Sequence, residues 1–250
     1  MLDVIVRSTG FWVSDDPKDV ITNAYFSETL GLDTSDKWIR KNTGIIERRR
    51  SRIPVSEMAL KASRVCLEHA RVDPKDIDLI IISTVTPDMP FPAAANILQE
   101  KLGNKRAYSH DLNAGCSGWI YALAEADALL RTRNYKYALV IASEKMTCIT
   151  DYEDRGTCIL FGDVAAGILL ETVDSKDNPE GYGIQNFYAK SDGSGTRFLY
   201  QPAGGSNKPP THETIEAREH YLKMDGPTVF KWAIRKMPES VRAVSYTHLR

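Results

Sequence analysis

The segment that most constrains the fold is residues 78–85, DLIIISTV, a short run rich in β-branched apolar residues. Such a run is typical of a strand that is buried on both faces of a sheet. Amphipathic helical patterns flank it at residues 56–72 and 93–102, and three prolines within residues 86–92 require a loop before the second helix. This alternation predicts an α/β sheet with helices on both faces.

The same alternation continues along the chain. It predicts a strand at residues 106–112, a helix at 117–130, a strand at 137–143, two strands at 157–161 and 165–171 joined by a turn at Gly162 and Asp163, a possible strand at 183–189 and a last helix at 227–241. A polar stretch rich in Gly and Pro, residues 174–210, separates the two regions of regular structure.

Composition excludes several classes of protein. Lys and Arg total 32 against 33 Asp and Glu, so the chain lacks the positive charge of a protein that binds nucleic acid or an anionic membrane. No segment approaches the ~20 apolar residues of a membrane span. The four cysteines contain no C-x-x-C pair and the histidines fall at no ligand spacing, which predicts reduced thiols, no metal site and a cytoplasmic location.

Cys116 is the candidate nucleophile. It stands in DLNAGCSGW, between the predicted strand at 106–112 and the helix from residue 117. The unpaired N–H groups and positive dipole of a helix N-terminus favour a thiolate over a thiol, and Gly115 and Gly118 permit a tight turn. The alternative is a small buried residue at a strand–helix corner. Cys66 and Cys158 fall in apolar patterns typical of core positions, and nothing near Cys148 would activate it.

Two further motifs are weaker. The run ERRR at residues 47–50, with Arg52, is either a solvated loop or a dock for phosphates or an acidic carrier protein. The run GSGTRF at residues 193–198 lacks the third glycine of a dinucleotide loop, so we reject a nucleotide-binding fingerprint there.

Several motifs together resemble the β-ketoacyl-acyl-carrier-protein synthase III family of thiolase-like condensing enzymes. They are DTSDKWIRKNTGIIERR (33–49), DIDLIIISTVTPDMPFPAAANILQEKLG (76–103), DLNAGCSGWIYAL (111–123), DRGTCILFGDVAAGILL (154–170), SDGSG (191–195), PAGGS (202–206) and MDGPTVFKWA (224–233). Their order, their spacing and the shared cysteine context make the match specific.

The resemblance implies a thiolase-like α/β fold, in which two βαβαβαβ-type halves form an α/β/α/β/α layered sandwich. In this chain it places the half that carries the nucleophile at residues 1–172 and an incomplete second half at 173–242. The last residues, 243–250, do not continue the likeness, and AVSYTHLR resembles translated adapter sequence. We therefore expect residues 243–250 to be a non-native tail, and we assign His248 no catalytic role.

The implied activity is an acyltransferase that starts fatty-acid synthesis. An acyl-CoA primer would load onto Cys116, and malonyl-acyl-carrier protein would then undergo decarboxylative Claisen condensation to give a 3-oxoacyl product. The implied partners are acyl-CoA, acyl-carrier protein and a second copy of the chain, without cofactor or metal. Alternatives are an initiating condensing enzyme of secondary metabolism, a thiolase or hydroxymethylglutaryl-CoA synthase, and a non-catalytic subunit.

The resemblance also implies a role for each of several individual residues. Thr34 and Trp38 match the residues that flank the CoA adenine and the pantetheine entrance, and Arg155 matches an arginine that contacts CoA. Phe230 matches a tunnel-wall aromatic, Lys231 a basic residue at the tunnel mouth, and Phe161 is expected near the nucleophile. Phe91 matches the aromatic that reaches the acyl pocket of the partner subunit.

The chain departs from the family pattern in several places. The His and Asn that complete the family site, in motifs resembling PHQAN and GNTS, are not in this sequence. We therefore expect the sequence to be the N-terminal part of a longer enzyme and to be inactive in the full reaction. Asn42 stands where Arg is frequent, which removes one expected CoA-phosphate contact. Gly115 replaces a more usual Ala.

Overall fold

The computed structural model describes residues 2–248, with side chains through residue 245. In this part the strands are β1 (Leu2–Trp12), β2 (Val20–Thr22), β3 (Glu47–Arg49), β4 (Leu79–Ser83), β5 (Tyr108–Leu112), β6 (Tyr137–Lys145), β7 (Asp163–Asp174), β8 (Leu199–Tyr200) and β9 (Lys223–Met224). The helices are α1 (Asp36–Thr43), α2 (Val55–Ala70), α3 (Ala94–Lys101), α4 (Gly118–Arg133), α5 (Arg155–Cys158), α6 (His212–Glu216) and α7 (Gly226–His248).

Two compact units interleave along the chain. The first unit comprises Met1–Asp15, Ser51–Lys145 and Asp163–Phe187, and the second comprises Asp16–Arg50, Met146–Gly162 and Tyr188–Arg250. The predicted boundaries at residues 172 and 242 refer to the halves of a complete thiolase-like enzyme, and they stay a prediction. Of the predicted tail, residues 249 and 250 and the side chain of His248 lie outside the described residues.

A five-stranded mixed sheet in the order β1-β7-β6-β4-β5 forms the centre of the first unit. Strands β5, β4 and β6 are parallel, whereas β7 is antiparallel to both β6 and β1. Alternation along β4 divides its apolar side chains between two cores: Ile80 and Ile82 pack in the core that includes α2 and α3, and Leu79 and Ile81 pack in the core that includes α4. The predicted sheet with helices on both faces is therefore confirmed.

The β2-β3 ribbon and helices α1 and α5 surround a separate small core in the second unit. Ile39 of α1 and Cys158 of α5 are both fully buried there. The predicted strand at 157–161 is wrong, because the chain forms the helix α5 and a turn instead. Asp154 begins that helix by accepting hydrogen bonds from the Gly156 N–H at 2.8 Å and the Thr157 hydroxyl at 2.8 Å.

Two other predicted elements differ from the structure. Residues 183–189 do not form a strand: the Ile184 N–H donates to the Val4 carbonyl at 2.8 Å, but Gly183 before it has φ +125°, which is not extended backbone. Helix α7 extends beyond the predicted 227–241, and its large apolar residues Phe230 and Met237 are exposed, so the apolar side predicted from the sequence is not a buried one.

Candidate active site

Cys116 lies where a parallel strand ends and a long helix begins. Strand β5 ends at Leu112, residues Gly115–Ser117 form one 3-10 turn, and α4 starts at Gly118. Cys116 is exposed, and it stands just before the first unpaired N–H groups of a 16-residue helix. The predicted strand–turn–helix position of this thiol is confirmed, and the alternative of a buried corner residue is wrong.

Two glycines make this turn possible. Gly115 has φ +55°, in the left-handed region that favours glycine. A Cβ on Gly118 would lie 2.3 Å from the Ser83 Oγ, so glycine lets α4 approach the end of β4 this closely without displacing that hydroxyl. The turn that carries Cys116 is therefore packed against the carboxyl ends of β4 and β5, the edge of a parallel sheet where ligands commonly bind.

The other cysteines differ from Cys116 in burial. Cys66 and Cys158 are fully buried, and burial raises the pKa of each thiol to about 11. The Cys66 thiol donates to the Gly167 carbonyl at a distance of 3.3 Å. Cys148 lies exposed in the turn Met146–Cys148. The prediction that Cys66 and Cys158 are core residues is confirmed.

Phe91 lies in the loop that follows β4, and its side chain is 84% exposed. Carboxylates tie both ends of this loop to the first unit. Asp88 accepts from the N–H and the hydroxyl of Ser56 at 2.8 and 2.6 Å, and Asp111 accepts from the first N–H groups of α3. The segment between these anchors, Met89–Pro92, thus projects as an exposed apolar tip.

Glu144 is a partly buried carboxylate at the same sheet edge as Cys116, and sequence reasoning did not single it out. From the end of β6 its carboxylate accepts hydrogen bonds from the Val85 N–H at 2.9 Å and from the Thr86 hydroxyl at 2.5 Å. Burial raises the pKa of Glu144 in spite of these bonds. A usable signal was present, because a carboxylate directly follows the predicted strand at 137–143 and so lies at the same sheet edge as Cys116.

Three of the predicted CoA-binding residues lie together in the second unit. The Arg155 guanidinium lies over the Trp38 indole, 5.3 Å from its centroid, and Arg155 Nη1 donates to the Asp33 carbonyl at 2.6 Å. The Thr34 Oγ1 beside them is buried and has no hydrogen-bond partner among the described residues. The cluster therefore offers a cation, an aromatic face and an unsatisfied hydroxyl.

The remaining predicted site residues also belong to the second unit. Phe161 is half-buried in the turn after α5. Phe230 and Lys231 are exposed near the start of α7, where the Asp225 carboxylate accepts from the N–H and the hydroxyl of Thr228. These hydrogen bonds lower the pKa of Asp225, and the positive charge of Lys231 acts in the same direction.

The basic run at residues 47–50 contains one buried arginine and one arginine in an ion pair. Arg48 is only 5% exposed and points into the core of the second unit, where its guanidinium lies 4.9 Å from the centroid of the Phe26 ring. Arg49 pairs with Glu47 at 2.5 Å. Arg48 is thus withdrawn from the surface and Arg49 is paired, and a dock for phosphates or an acidic carrier stays a prediction that would involve Arg50 and Arg52, which are exposed.

An apolar cavity of about 590 Å³ also lies in the first unit, between residues of β1, α2, β6 and β7 and Trp119 of α4. None of the predicted site residues lines it.

Among the described residues, no group of three or more His, Cys, Asp or Glu side chains is arranged to hold a metal ion. No helix in that part of the chain is long and apolar enough to cross a membrane.

Comparison with known proteins identifies the family. Residues 110–193 match the family described as 3-oxoacyl-[acyl-carrier-protein] synthase III. The chain is 44% identical over 234 residues to the β-ketoacyl-[acyl-carrier-protein] synthase III of Caldanaerobacter subterraneus subsp. tengcongensis, which covers 93% of this chain and 68% of the relative. The chain therefore spans about two thirds of that relative's length.

Solved structures agree. The 3-oxoacyl-[acyl-carrier-protein] synthase III of Aquifex aeolicus superposes with a TM-score of 0.77 at 33% identity, over 98% of this chain and 71% of that one. The priming β-ketosynthase of the R1128 polyketide biosynthetic pathway superposes with a TM-score of 0.80 at 28% identity, over 96% and 69%. The chain belongs to the β-ketoacyl-acyl-carrier-protein synthase III family, whose members are thiolase-like condensing acyltransferases.

Proposed function

We propose that this chain carries the acyl-loading site of an enzyme that initiates fatty-acid synthesis. The observation that carries the proposal is the exposed Cys116 at the N-terminal turn of α4, within the residues that match the family. The Cys116 thiolate attacks the thioester carbonyl of an acyl-CoA primer, the carbonyl–sulfur bond to CoA breaks, and CoA leaves as a thiol after taking up a proton. The product is an acyl thioester on Cys116.

In the second half-reaction, malonyl-acyl-carrier protein loses CO2. The electron pair of the broken carbon–carbon bond attacks the acyl group on Cys116, and the bond from that acyl carbon to the Cys116 sulfur breaks. The product is a 3-oxoacyl-acyl-carrier protein. The main-chain N–H of Cys116, at the positive end of α4, is our candidate for one donor to the oxyanion that forms in each step. The family His and Asn motifs that would assist decarboxylation are not in this sequence.

The cluster of Thr34, Trp38 and Arg155 supports acyl-CoA as the substrate. An indole face stacks on a nucleobase, a guanidinium pairs with phosphate, and a buried hydroxyl without a partner gains a hydrogen bond from a polar ligand. Because the Arg155 guanidinium lies over the Trp38 ring, a base enters between them only after Arg155 moves aside. Phe161, Phe230 and Lys231 are proposed to line the path of the pantetheine arm.

A homodimer is part of the proposal. Strand β5 is an edge strand of the sheet, and Tyr108 on it is 51% exposed, so this edge is available to pair with a second copy. The exposed Phe91 tip would then reach the acyl pocket of that copy and limit the length of the primer. We propose acyl-carrier protein as the other partner and the cytoplasm as the location, on the composition and cysteine arguments given above.

The likeness to the R1128 priming β-ketosynthase keeps a second function open, that of an initiating condensing enzyme in secondary metabolism. The two functions share the loading step at Cys116, and they differ in the acyl primer that is preferred. Comparing loading by acetyl-CoA with loading by longer acyl-CoA primers separates them.

Intact-protein mass spectrometry after incubation with acetyl-CoA tests the loading step. We expect one acetyl adduct on the chain and none on Cys116→Ala. Cys66→Ala is the matched control, because that thiol is buried, and its adduct should equal that of the unaltered chain. Absence of an adduct on folded protein, or an adduct that persists in Cys116→Ala, would contradict the proposal.

A further inference from the structure

The buried Arg48 joins two parts of the second unit that carry the proposed CoA-binding residues. Its Nε donates to the Ile159 carbonyl at 2.8 Å, and its Nη2 donates to the same oxygen. Ile159 directly follows α5, the helix that begins with Arg155. One side of the guanidinium therefore holds the end of α5.

Its other side reaches α1 through Asn23. Arg48 Nη1 donates to Asn23 Oδ1 at 2.5 Å, and Asn23 Nδ2 donates to Asp36 Oδ1 and to the Ile45 carbonyl, each at 2.9 Å. Asp36 is the first residue of α1 and Trp38 is the third. The relay from Arg48 through Asn23 to Asp36 therefore fixes the first turn of the helix that presents Trp38.

Both members at the centre of this relay are buried, Arg48 at 5% and Asn23 at 1% exposure. Among the described residues, the direct partners of the guanidinium are a carbonyl, an amide oxygen and the Phe26 ring, so its positive charge is linked to the Asp36 carboxylate through Asn23. Burial of a charged group costs free energy unless each of its donors finds an acceptor. A charge held inside in this way imposes a fixed geometry on the elements around it.

We infer that Arg48, with Asn23, is a positioning residue for acyl-CoA: it sets the distance and angle between the Trp38 indole on α1 and the Arg155 guanidinium on α5. This inference rests on the proposed function and assigns that role to a residue which does not itself contact the ligand. It also accounts for one arginine of the basic run at residues 47–50, because strand β3 turns Arg48 inward and leaves its neighbour Glu47 exposed.

Isothermal titration of CoA into the chain tests the inference, with Arg48→Met as the first variant. The methionine keeps most of the length and loses every hydrogen bond, and we expect the Kd for CoA to rise about tenfold, within the usual range for coupled positions. Arg48→Lys, which retains the charge and one donor group, should give an intermediate Kd and also serves if Arg48→Met fails to fold. An unchanged Kd in a folded Arg48 variant overturns the inference.

A matched control separates positioning from a general loss of stability. Arg131 in the first unit likewise donates to main-chain carbonyls, those of Leu2 and Ile184, and pairs with Asp127 at 2.9 Å. Arg131→Met should lower the melting temperature and leave the Kd for CoA unchanged. If Arg131→Met and Arg48→Met weaken CoA binding equally, the effect is one of stability and the inference fails.

Kinetics of acetyl loading on Cys116 give a readout that a purely structural role would not produce. In Arg48→Met we expect the half-saturating acetyl-CoA concentration to rise while the loading rate at saturation stays the same. Asn23→Ala should behave similarly, and the double variant should lose less than the two single losses combined. If the unaltered chain does not bind CoA, the proposed function itself fails, an outcome distinct from binding that Arg48 does not affect.

Discussion

The Cys116 turn and the Trp38–Arg155 cluster are positioned in two different ways. Main-chain geometry sets the turn: a glycine with φ +55° precedes Cys116, and Gly118 lets α4 approach Ser83. Side-chain hydrogen bonds set the cluster, through the buried Arg48 and Asn23. The Cys116 turn thus depends on small residues at a strand end, whereas the proposed CoA site depends on a buried charge and its hydrogen-bond partners.

Because of this difference, different kinds of substitution should disrupt the two sites. A site built from main chain fails when a side chain is added, because the new Cβ either meets a neighbouring atom, as at Gly118, or strains a backbone with positive φ, as at Gly115. A site built from buried charges fails when one charge is removed, because its partners are left without a hydrogen bond. The following substitutions test this contrast, beginning with the largest expected change in stability.

Gly118→Ala tests the first unit. The added methyl group would overlap the Ser83 Oγ, and we expect the free energy of unfolding to fall by about 1–3 kcal/mol. Ser83→Ala in the same chain removes the overlapping oxygen and should restore part of the stability, because the Ser83 Cβ lies at an ordinary 3.5 Å. Urea denaturation measures both variants. Full stability of Gly118→Ala would contradict the prediction, because it would show that the Ser83 hydroxyl or α4 moves at little cost.

Asp151→Asn tests the buried charges of the second unit. Hydrogen bonds from Arg218 hold the pKa of Asp151 at about 2, below its ordinary 3.8, so its ionised form stabilises the fold. This contribution is complete above pH ~4 and is lost as the pH falls to ~2, and it amounts to about 1–2 kcal/mol after allowance for the half-exposed Arg218.

Acid unfolding followed by circular dichroism measures this difference. Between pH 4 and 2 the stability of Asp151→Asn should depend less steeply on pH than that of the unaltered chain. Glu153→Gln is the control, since this partner of Arg218 has a side chain that is 76% exposed and should change stability by less than about 0.5 kcal/mol. Parallel pH profiles for the chain and Asp151→Asn would contradict the prediction.

Phe91→Ala should have the smallest effect on stability, within about 0.5 kcal/mol, because the side chain is exposed at the tip of its loop. If Phe91 limits the primer as proposed, the variant should nevertheless load longer acyl-CoA primers on Cys116 faster, measured by intact mass. Met89→Ala, from the same tip, is the matched control. A loss of several kcal/mol would show that the tip packs against something.

The order of strands and helices in the first unit was predictable from the sequence because it depends on local periodicity. The buried strand β4, the loop at residues 86–92 and the strand–turn–helix around Cys116 all lie where the pattern predicts them. The error at residues 157–161 has a local cause as well. The composition of this apolar run predicts a strand. Asp154, however, caps the N-terminus of a helix, and the start of the run therefore belongs to α5.

Local sequence patterns could not predict the positions of Arg48 and Glu144 in the fold. Arg48 meets its acceptor on Ile159, 111 residues further along the chain, and Glu144 meets Thr86 58 residues away. The run ERRR by itself does not predict which arginine is buried, because burial depends on which distant segment packs against the strand.

The α/β class, the family and the strand–turn–helix position of Cys116 were all predictable from the sequence, since they follow from periodicity and from motifs that are contiguous in the chain. The folded structure was needed to show that the two units interleave along the chain, that carboxylates hold the loop of Phe91, and that Arg48 lies inside rather than on the surface. The physical reason is that a charged side chain is buried only where partners from other segments satisfy it, and those partners meet only when the chain is folded.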